Sequence, residues 1–164
     1  MNISRFFIER PIFAAMLSAL ILLVGLIALP GLPISEYPEV VPPQVVVTAA
    51  YPGADERFLR HAVATGARGI VLSALGRGNI PPRMLAGVRE AVAAGVVVVV
   101  ASRCGRGRTA PTYGYEGGGV TLQDAGAIFS GDLPAPKARI KLMVLLGAGS
   151  SAGTIRESFE RPPA

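Results

Sequence analysis

The sequence predicts an α/β protein in which a single N-terminal transmembrane helix precedes a small domain built on a parallel sheet. An uncharged apolar run near the N-terminus is long enough to cross a bilayer. Beyond it, segments with helical spacing alternate with short β-branched runs, the order typical of a parallel sheet. The chain changes character within the string YPGAD. We therefore expect a membrane anchor over residues 1–54 and an α/β domain over residues 55–164.

Composition limits the functions that this chain can have. It has 164 residues, with 16 Lys or Arg against 11 Asp or Glu, enough for about one domain. The basic residues are scattered, and the cluster Arg103, Arg106 and Arg108 has only cysteine and glycine inside it. Because solvated basic faces of this kind are common, we expect no nucleic-acid binding. Cys104 is the only cysteine, so no intramolecular disulfide can form.

The first predicted element is a membrane-spanning helix over residues 12–29, a stretch without charge. As a helix it would be about 27 Å long, close to the roughly 30 Å hydrocarbon core of a bilayer. Pro11 suits a helix start, and Pro30 with Pro33 would end the helix. A cleaved signal peptide is the alternative, but the run exceeds the usual apolar region of roughly 7 to 15 residues and no small-x-small cleavage site follows it.

The flanking charges predict the orientation of this helix. Arg5 and Arg10 both lie on its N-terminal side, beside Phe6, Phe7 and Ile8, so the short first segment suits the membrane interface. The positive-inside rule then places the N-terminus in the cytoplasm and the rest of the chain outside. Residues 42–48 follow as a β-branched strand bounded by prolines.

The residues from Met1 to about Ala54 resemble the N-terminus of the resistance-nodulation-division (RND) efflux transporters of the hydrophobe/amphiphile class. FFIERPIFA and LPISEYPEVVPP carry this likeness. It implies a first transmembrane helix followed by the start of a periplasmic porter strand. With the orientation given by the flanking arginines, we expect an inner-membrane protein with a cytoplasmic N-terminus and a periplasmic C-terminal domain. The intramembrane carboxylates of a proton relay are absent from this sequence, so we expect no efflux by this chain alone.

The next two elements form a helix and a strand. Asp55 can cap a helix over residues 56–65 that directs Leu59, Ala62 and Val63 to one face and ends at Gly66. Residues 69–75 are a short apolar run that reads as a strand, and a Gly-Arg-Gly-Asn turn follows it.

A second helix and strand complete a βαβ unit. The helix begins at Pro81 or Pro82 and ends at Gly95, with Leu85, Val88 and Val92 directed inward. The valine run 96–100 suits a strand covered on both faces.

The last third of the chain predicts a long loop and two helices. Residues 101–131 are rich in glycine and turn formers and predict a loop with short strand pieces. Residues 134–147 predict a helix with Ala138, Leu142 and Leu145 facing inward. A final short helix has Thr154 and Glu157 at capping-box spacing and pairs Ile155 with Phe159.

Residues 55–160 resemble the C-terminal domain of bacterial L-asparaginases. Three blocks carry this likeness in order: GARGIVLSALGRGNIPPRMLAGVREAVAAGVVVVVASRC, TYGYEGGG and GAIFSGDLPAPKARIKLMVLLGAG. The resemblance implies a small flavodoxin-like parallel-sheet domain. It also implies a family activity, the hydrolysis of L-asparagine to L-aspartate and ammonia.

The chemistry of that family needs groups that this sequence does not contain. Its threonine nucleophile and base belong to an N-terminal domain with a TGGT-like turn and a later Thr-Asp pair plus Lys, and none of these motifs occurs here. Lys137 and Lys141 read as solvent-facing helix residues. We therefore expect no catalytic residue and no hydrolysis by the chain alone, and no cofactor is implied.

By the same resemblance, Asn79 corresponds to the polar residue that the C-terminal domain extends into a neighbouring subunit's active site. Glu116 corresponds to a carboxylate that binds the substrate amino group, although Arg77 departs from the family pattern. Ligands of open α/β sheets meet the loops at the carboxyl ends of the strands, which suits this location. The alternative is that Asn79 only caps the helix at Pro81 and Glu116 is an ordinary loop carboxylate.

Three further candidates have plainer explanations. His61 has no metal-ligand partners at suitable spacing and reads as a surface helix residue, so we expect no metal site. Cys104 has no adjacent histidine and reads as a buried thiol. The glycine turn 147–151 suits a helix stop better than an anion site.

The two resemblances together indicate a chimera, for which three functions are open. The first is a membrane-anchored, catalytically incomplete asparaginase domain that forms a homo-oligomer or pairs with a complete asparaginase subunit. The second is a truncated efflux-pump protomer that interferes with pump assembly. The third is an artefactual or pseudogene fusion without function, because recombination or a misassembled reading frame would join two truncated parents in this way.

Overall fold

The computed structural model describes residues 3–28 and 43–161. The chain divides into two compact units, Met1–Val40 and Val41–Ala164. The predicted helix stop at Pro30 and Pro33 lies outside the described residues.

The first unit consists of helices α1 (Ile3–Glu9) and α2 (Pro11–Ala28). Helix α2 begins at the predicted proline, and it is the one helix among the described residues that is long and apolar enough to cross a membrane. None of its side chains is buried in protein. Phe6 packs edge-on against Phe13 with ring centroids 5.8 Å apart, and the Arg10 guanidinium lies 5.2 Å from the Phe6 centroid. This cation–π contact stabilises the turn between the two helices.

The second unit is an α/β domain with a parallel four-stranded sheet in the order β1-β2-β3-β4. The predicted fold class is confirmed. The elements are β1 (Val45–Ala49), α3 (Arg57–Ala64), β2 (Gly69–Ala74), α4 (Pro82–Ala93), β3 (Val97–Ser102), α5 (Gly119–Asp124), β4 (Ile128–Phe129), α6 (Ala135–Gly147) and α7 (Ala152–Glu160).

Two hydrophobic cores lie on opposite faces of the sheet. Strands β2 and β3 alternate their side chains, so that Ile70 and Val98 enter the core under α3 and α4 while Val71 and Val99 enter the core under α6 and α7. These four side chains are at most 1% exposed. The central strands are therefore covered on both faces, as the valine run predicts.

Strand β1 forms one edge of this sheet. It pairs with β2 in parallel, and the Gln44 carbonyl accepts a hydrogen bond from Arg68 N at 3.0 Å. Two distant arginines also hold its ends, since Arg139 Nε donates to the Val45 carbonyl at 3.1 Å and Arg103 Nη1 donates to the Ala50 carbonyl at 3.0 Å. The strand that follows the efflux-like leader is thus an integral part of the soluble domain.

The predicted inward faces of the helices are largely confirmed. Leu59, Ala62, Leu85, Val88, Ala138, Leu142, Ile155 and Phe159 are buried. Val63, Val92 and Leu145 are only partly buried, because they lie at the margins of the two cores.

Two local expectations are wrong, and the predicted bounds of α3 differ from the observed ones by one residue. The segment 101–131 contains helix α5 as well as strand β4; its glycines suggested a loop, but a side chain at Gly119 would collide with the backbone of Pro111 at 2.8 Å. Helix α7 is capped by Ser151, whose Oγ accepts from Thr154 N at 3.2 Å, so Thr154 is not the cap. Helix α3 starts at Arg57, but Asp55 still accepts a hydrogen bond from its backbone N at 3.2 Å.

Candidate functional site

The turn after β2 holds Asn79 at the carboxyl edge of the sheet. Leu75 N donates to the Asn79 carbonyl at 2.8 Å, and Asn79 N donates to the Leu75 carbonyl at 2.9 Å. Gly78 has a φ of +113°, and a side chain there would start 3.0 Å from the Phe129 ring. Because L-residues rarely adopt this φ and the space is filled, the turn depends on glycine at this position. Asn79 is therefore held by a short, closed backbone loop.

A second loop carries Glu116 to the same edge. Ile80 N donates to the Gly117 carbonyl at 2.9 Å, so the residues that follow Asn79 and Glu116 are bonded to each other directly. A side chain at Gly117 would collide with the Ile80 carbonyl, which keeps the two backbones in close contact. Asn79 and Glu116 are far apart in the sequence, but each directly precedes one of the two residues that this hydrogen bond joins.

The Asn79 side chain does not cap helix α4. The N-cap residue of that helix is Pro81, and no side chain caps it. The alternative of a capping asparagine is therefore wrong. Within the described part of the chain, the half-buried Asn79 carboxamide makes no hydrogen bond, so its donors and acceptor remain free for a ligand.

Glu116 is exposed to solvent. Among the residues that the structure describes, no cation lies within ion-pair distance of it. Its position at the candidate edge is consistent both with a substrate-binding carboxylate and with an ordinary loop residue. The role of Glu116 stays a prediction.

Ser102 supports the candidate edge, and the sequence analysis did not identify it. It is 9% exposed, and its Oγ donates to the Gly76 carbonyl at 2.6 Å while accepting from Cys104 N at 3.1 Å. It therefore joins the turn after β2 to the loop after β3. The available signal was a serine two positions after the valine run, because a hydroxyl that is buried at the end of a core strand needs hydrogen-bond partners.

The loop carrying Glu116 is also tied to the Asn79 turn from its other end. Ala110 N donates to the Arg77 carbonyl at 3.0 Å. The Arg77 side chain is exposed, so it adds a positive charge to the surface of the turn while its backbone carbonyl keeps this bond.

An ion-pair clamp fixes helix α4, which follows directly after Asn79. The Arg60 guanidinium on α3 binds Glu90 on α4 through two hydrogen bonds of 2.7 Å. Bonding to Arg60 lowers the pKa of Glu90 below its ordinary value and raises the pKa of Arg60. In the same way, hydrogen bonds from Arg57 lower the pKa of Asp55. Both carboxylates therefore remain charged at neutral pH.

The remaining sequence candidates lie outside this edge. His61 is on the exposed surface of α3, as expected. Cys104 is exposed in the loop after β3, so the expectation of a buried thiol is wrong. Ser151 caps α7 and Gly149, with a φ of +70°, follows α6, so the segment 147–151 ends one helix and starts the next, as predicted. In the described ranges 3–28 and 43–161, no group of three or more His, Cys, Asp or Glu side chains is placed to hold a metal ion.

The two lysines of α6 differ from each other. Lys137 faces solvent, as expected, whereas Lys141 is partly buried. Lys141 Nζ donates to the Ser158 carbonyl at 2.6 Å and lies 4.7 Å from the centroid of the Phe159 ring. The expectation of a solvent-facing Lys141 is therefore wrong, because α7 packs against its side chain.

Comparisons with known proteins divide the chain in two. The family model described as the glutaminase/asparaginase C-terminal domain matches residues 44–159. The model described as the AcrB/AcrD/AcrF family matches residues 3–66. With the apolar helix α2, the second match indicates association with a membrane.

Individual relatives agree with this division. An L-asparaginase of Bacillus licheniformis is 39% identical over 106 residues, which is 65% of this chain and 33% of that protein. A probable L-asparaginase of Deinococcus radiodurans is 45% identical over 93 residues, 57% of this chain and 28% of that protein. The multidrug resistance protein MdtF of Escherichia coli K12 is 40% identical over 60 residues, 37% of this chain and 6% of that protein. The chain thus spans about a third or less of the length of each of these relatives.

Proposed function

Because the chain belongs to the glutaminase/asparaginase C-terminal domain family over residues 44–159, we propose that it is a membrane-anchored, non-hydrolytic asparaginase domain. In this proposal the domain presents Asn79 to the active site of an asparaginase partner. The observation that carries the proposal is the hydrogen bond of 2.9 Å between Ile80 N and the Gly117 carbonyl. This bond brings the neighbouring residues Asn79 and Glu116 to one edge of the sheet, and neither side chain has a hydrogen-bond or ion-pair partner among the described residues.

The threonine hydroxyls support the non-hydrolytic part of the proposal. A threonine nucleophile needs a hydroxyl that is bonded to a base. In the described part of the chain, the bonded threonine hydroxyls contact backbone carbonyls or another hydroxyl, and Thr48 is buried in β1. The bonded hydroxyls are those of Thr65, Thr109, Thr112, Thr121 and Thr154.

Among the described residues, β1 pairs with a strand on one side only, which supports pairing with another subunit, either a second copy or a complete asparaginase. A groove of about 640 Å³ runs along this edge between β1 and α3. Three of its apolar side chains are exposed to solvent: Val47 by 43%, Tyr51 by 47% and Phe58 by 58%. An unpaired strand beside exposed apolar side chains is a surface that proteins normally cover.

The proposed location is the inner membrane, with the N-terminus in the cytoplasm and the soluble domain in the periplasm. Arg5 and Arg10 on the N-terminal side of α2 support this orientation. Fusion of a reporter enzyme to the C-terminus tests it: a periplasmic phosphatase should be active there, and a reporter active only in the cytoplasm would contradict the orientation.

Complementation tests the main proposal. An asparaginase whose own asparagine at the corresponding position is replaced should recover ammonia release when mixed with the full chain in neutral detergent. The variant Asn79→Ala should not restore activity, whereas Gln123→Ala, which removes an exposed amide on α5, should restore it fully. Ammonia release by the chain alone refutes the non-hydrolytic part, and absence of both recovery and co-elution refutes the partner part.

The alternative is a truncated efflux protomer that interferes with pump assembly. The match of residues 3–66 to the AcrB/AcrD/AcrF family favours it. Expression of the chain should then lower the resistance conferred by an intact pump, and a version with α2 scrambled should have no effect. A continuous transcript across the codons for Tyr51 to Asp55 is required by both functions; reads that break there would support an artefactual fusion.

A further inference from the structure

A second cavity lies on the face of the sheet that α6 and α7 cover. It shares no residue with the edge that carries Asn79. Its volume is about 250 Å³, and it opens beside the turn that follows β4, between α6 and α7. Its lining combines three cations with apolar and hydroxyl side chains. The residues are Arg108, Ser130, Gly131, Asp132, Leu133, Lys141, Phe159 and Arg161.

The wall formed by the turn after β4 is rigid. Ser130 is 2% exposed, and its Oγ donates to the Leu133 carbonyl at 2.8 Å. Thr109 donates to the Gly131 carbonyl through both its backbone N at 2.9 Å and its hydroxyl at 3.1 Å. A side chain at Gly131 would begin 3.6 Å from Arg108 Nε, so the guanidinium lies against this turn. The backbone that directly follows Arg108 is therefore held in place.

The opposite wall fixes Lys141 between two helices. Its Nζ donates to the Ser158 carbonyl at 2.6 Å, close to the C-terminus of α7, and lies over the Phe159 ring. An ammonium group has three donors, so two N–H groups remain for another acceptor. Phe159 is 5% exposed, which gives the cavity an apolar floor.

The positive charges around this cavity outnumber the negative ones. In the part of the chain that the structure describes, the ion pairs of the soluble domain involve Arg57, Arg60 and Arg156. Among the described residues, no carboxylate lies within ion-pair distance of the three cations of the cavity, and Asp132 is the one acidic residue in its lining. Three positive charges and one negative charge leave a net charge of +2. Like charges around a cavity attract an anion of opposite charge.

We propose that this cavity binds a small dicarboxylate, a four- to five-carbon dianion with an apolar middle. One carboxylate would take the planar guanidinium of Arg108 through paired hydrogen bonds, and the other would take the two free donors of Lys141. The methylene groups between them would contact Phe159 and Leu133. The ligand's charge of −2 balances the lining, and its size suits the volume of about 250 Å³.

The experiment is isothermal titration of the full chain in neutral detergent with succinate, with phosphate and acetate as comparison ligands. Succinate should bind with a Kd below about 1 mM and more tightly than either comparison ligand. Arg108→Gln should weaken binding by at least about tenfold, the effect of losing a hydrogen bond to a charged group. The matched control is Lys137→Gln, an exposed cation about one turn before Lys141 and outside the cavity, which should change the Kd less than about twofold.

Since Arg108 makes no hydrogen bond within the described residues, its replacement should leave the melting temperature unchanged. Lys141→Gln provides a second variant on the opposite wall and should also weaken binding. Lack of succinate binding up to about 10 mM overturns the proposal. Phosphate binding as tight as succinate overturns the dicarboxylate class, and equal losses in Arg108→Gln and Lys137→Gln show a general charge effect in place of a site.

Discussion

Removal of β1 should unfold the soluble domain, although the sequence places this strand with the membrane leader. The perturbation is a comparison of two fragments, residues 41–164 and residues 55–164. The shorter fragment lacks the strand that pairs with β2 from Val45 to Ala49. We expect the longer fragment to fold and the shorter one to be unfolded or molten.

The structure supplies the magnitude. Besides the strand ladder, hydrogen bonds to the carbonyls of Gln44, Val45 and Ala50 would be lost. Bonds of this kind contribute about 1 kcal/mol each, and burial of the Val45 side chain contributes about 2 kcal/mol more. Val45 is 6% exposed and Ala50 is fully buried. With the ladder itself, the loss approaches the roughly 5–15 kcal/mol that stabilises a typical domain.

Circular dichroism melts of the two fragments provide the assay, with a matched pair of point variants in the longer fragment. Val45→Asp buries a charge and should lower the stability by at least about 3 kcal/mol, a fall of more than about 10 °C in Tm. Val47→Asp lies on the same strand at a side chain that is 43% exposed, and it should cost about 1 kcal/mol or less. A cooperative melt of residues 55–164 within a few degrees of the longer fragment would refute the reasoning.

Three further outcomes are expected. Leu142→Ala should cost about 2–5 kcal/mol in denaturant unfolding because Leu142 is fully buried, whereas Val144→Ala, at a side chain 66% exposed, should cost little. Since Arg60 lowers the pKa of folded Glu90, the clamp is intact above the unfolded pKa of Glu and is lost as pH falls through the folded value. Melts between about pH 6 and pH 3 should therefore show a shallower acid decline in Glu90→Gln than in the wild type. Gly78→Ala should abolish complementation by distorting the Asn79 turn, with co-elution as the measure that the partner still binds.

The elements that could be predicted from the sequence are those with a strong local pattern. The proline and glycine boundaries of α4 and the valines of β3 are encoded within a few neighbouring residues, and the structure confirms both. Helix α5 was not predicted because Gly118 and Gly119 are poor helix formers. They are required by tertiary contact, since side chains there would collide with the backbone of the 110–115 segment.

The arrangement of the candidate edge depends on contacts that no local pattern encodes. The bond between Ile80 and Gly117 joins loops from different parts of the chain, so sequence reasoning reached Asn79 and Glu116 only through a family resemblance. For the same reason the sequence does not reveal the role of Ser102, and it wrongly predicts a solvent-facing Lys141. Each acquires its partner, a carbonyl on a distant loop or helix, only when the sheet and α7 are in place.

The region where the two family matches overlap explains why the joined chain can form a single sheet. The matches to residues 3–66 and 44–159 share residues 44–66, which contain β1 and α3. An edge strand needs little more than β-branched side chains and backbone hydrogen bonds to its neighbour. Residues 45–48 provide both. Helix α3 then covers the sheet with Leu59 and Ala62, both at most 2% exposed. A strand, a turn and an amphipathic helix satisfy the packing needs of this domain whichever family the segment came from. The two family matches therefore overlap within one compact unit, and the sheet and its core continue across the overlap.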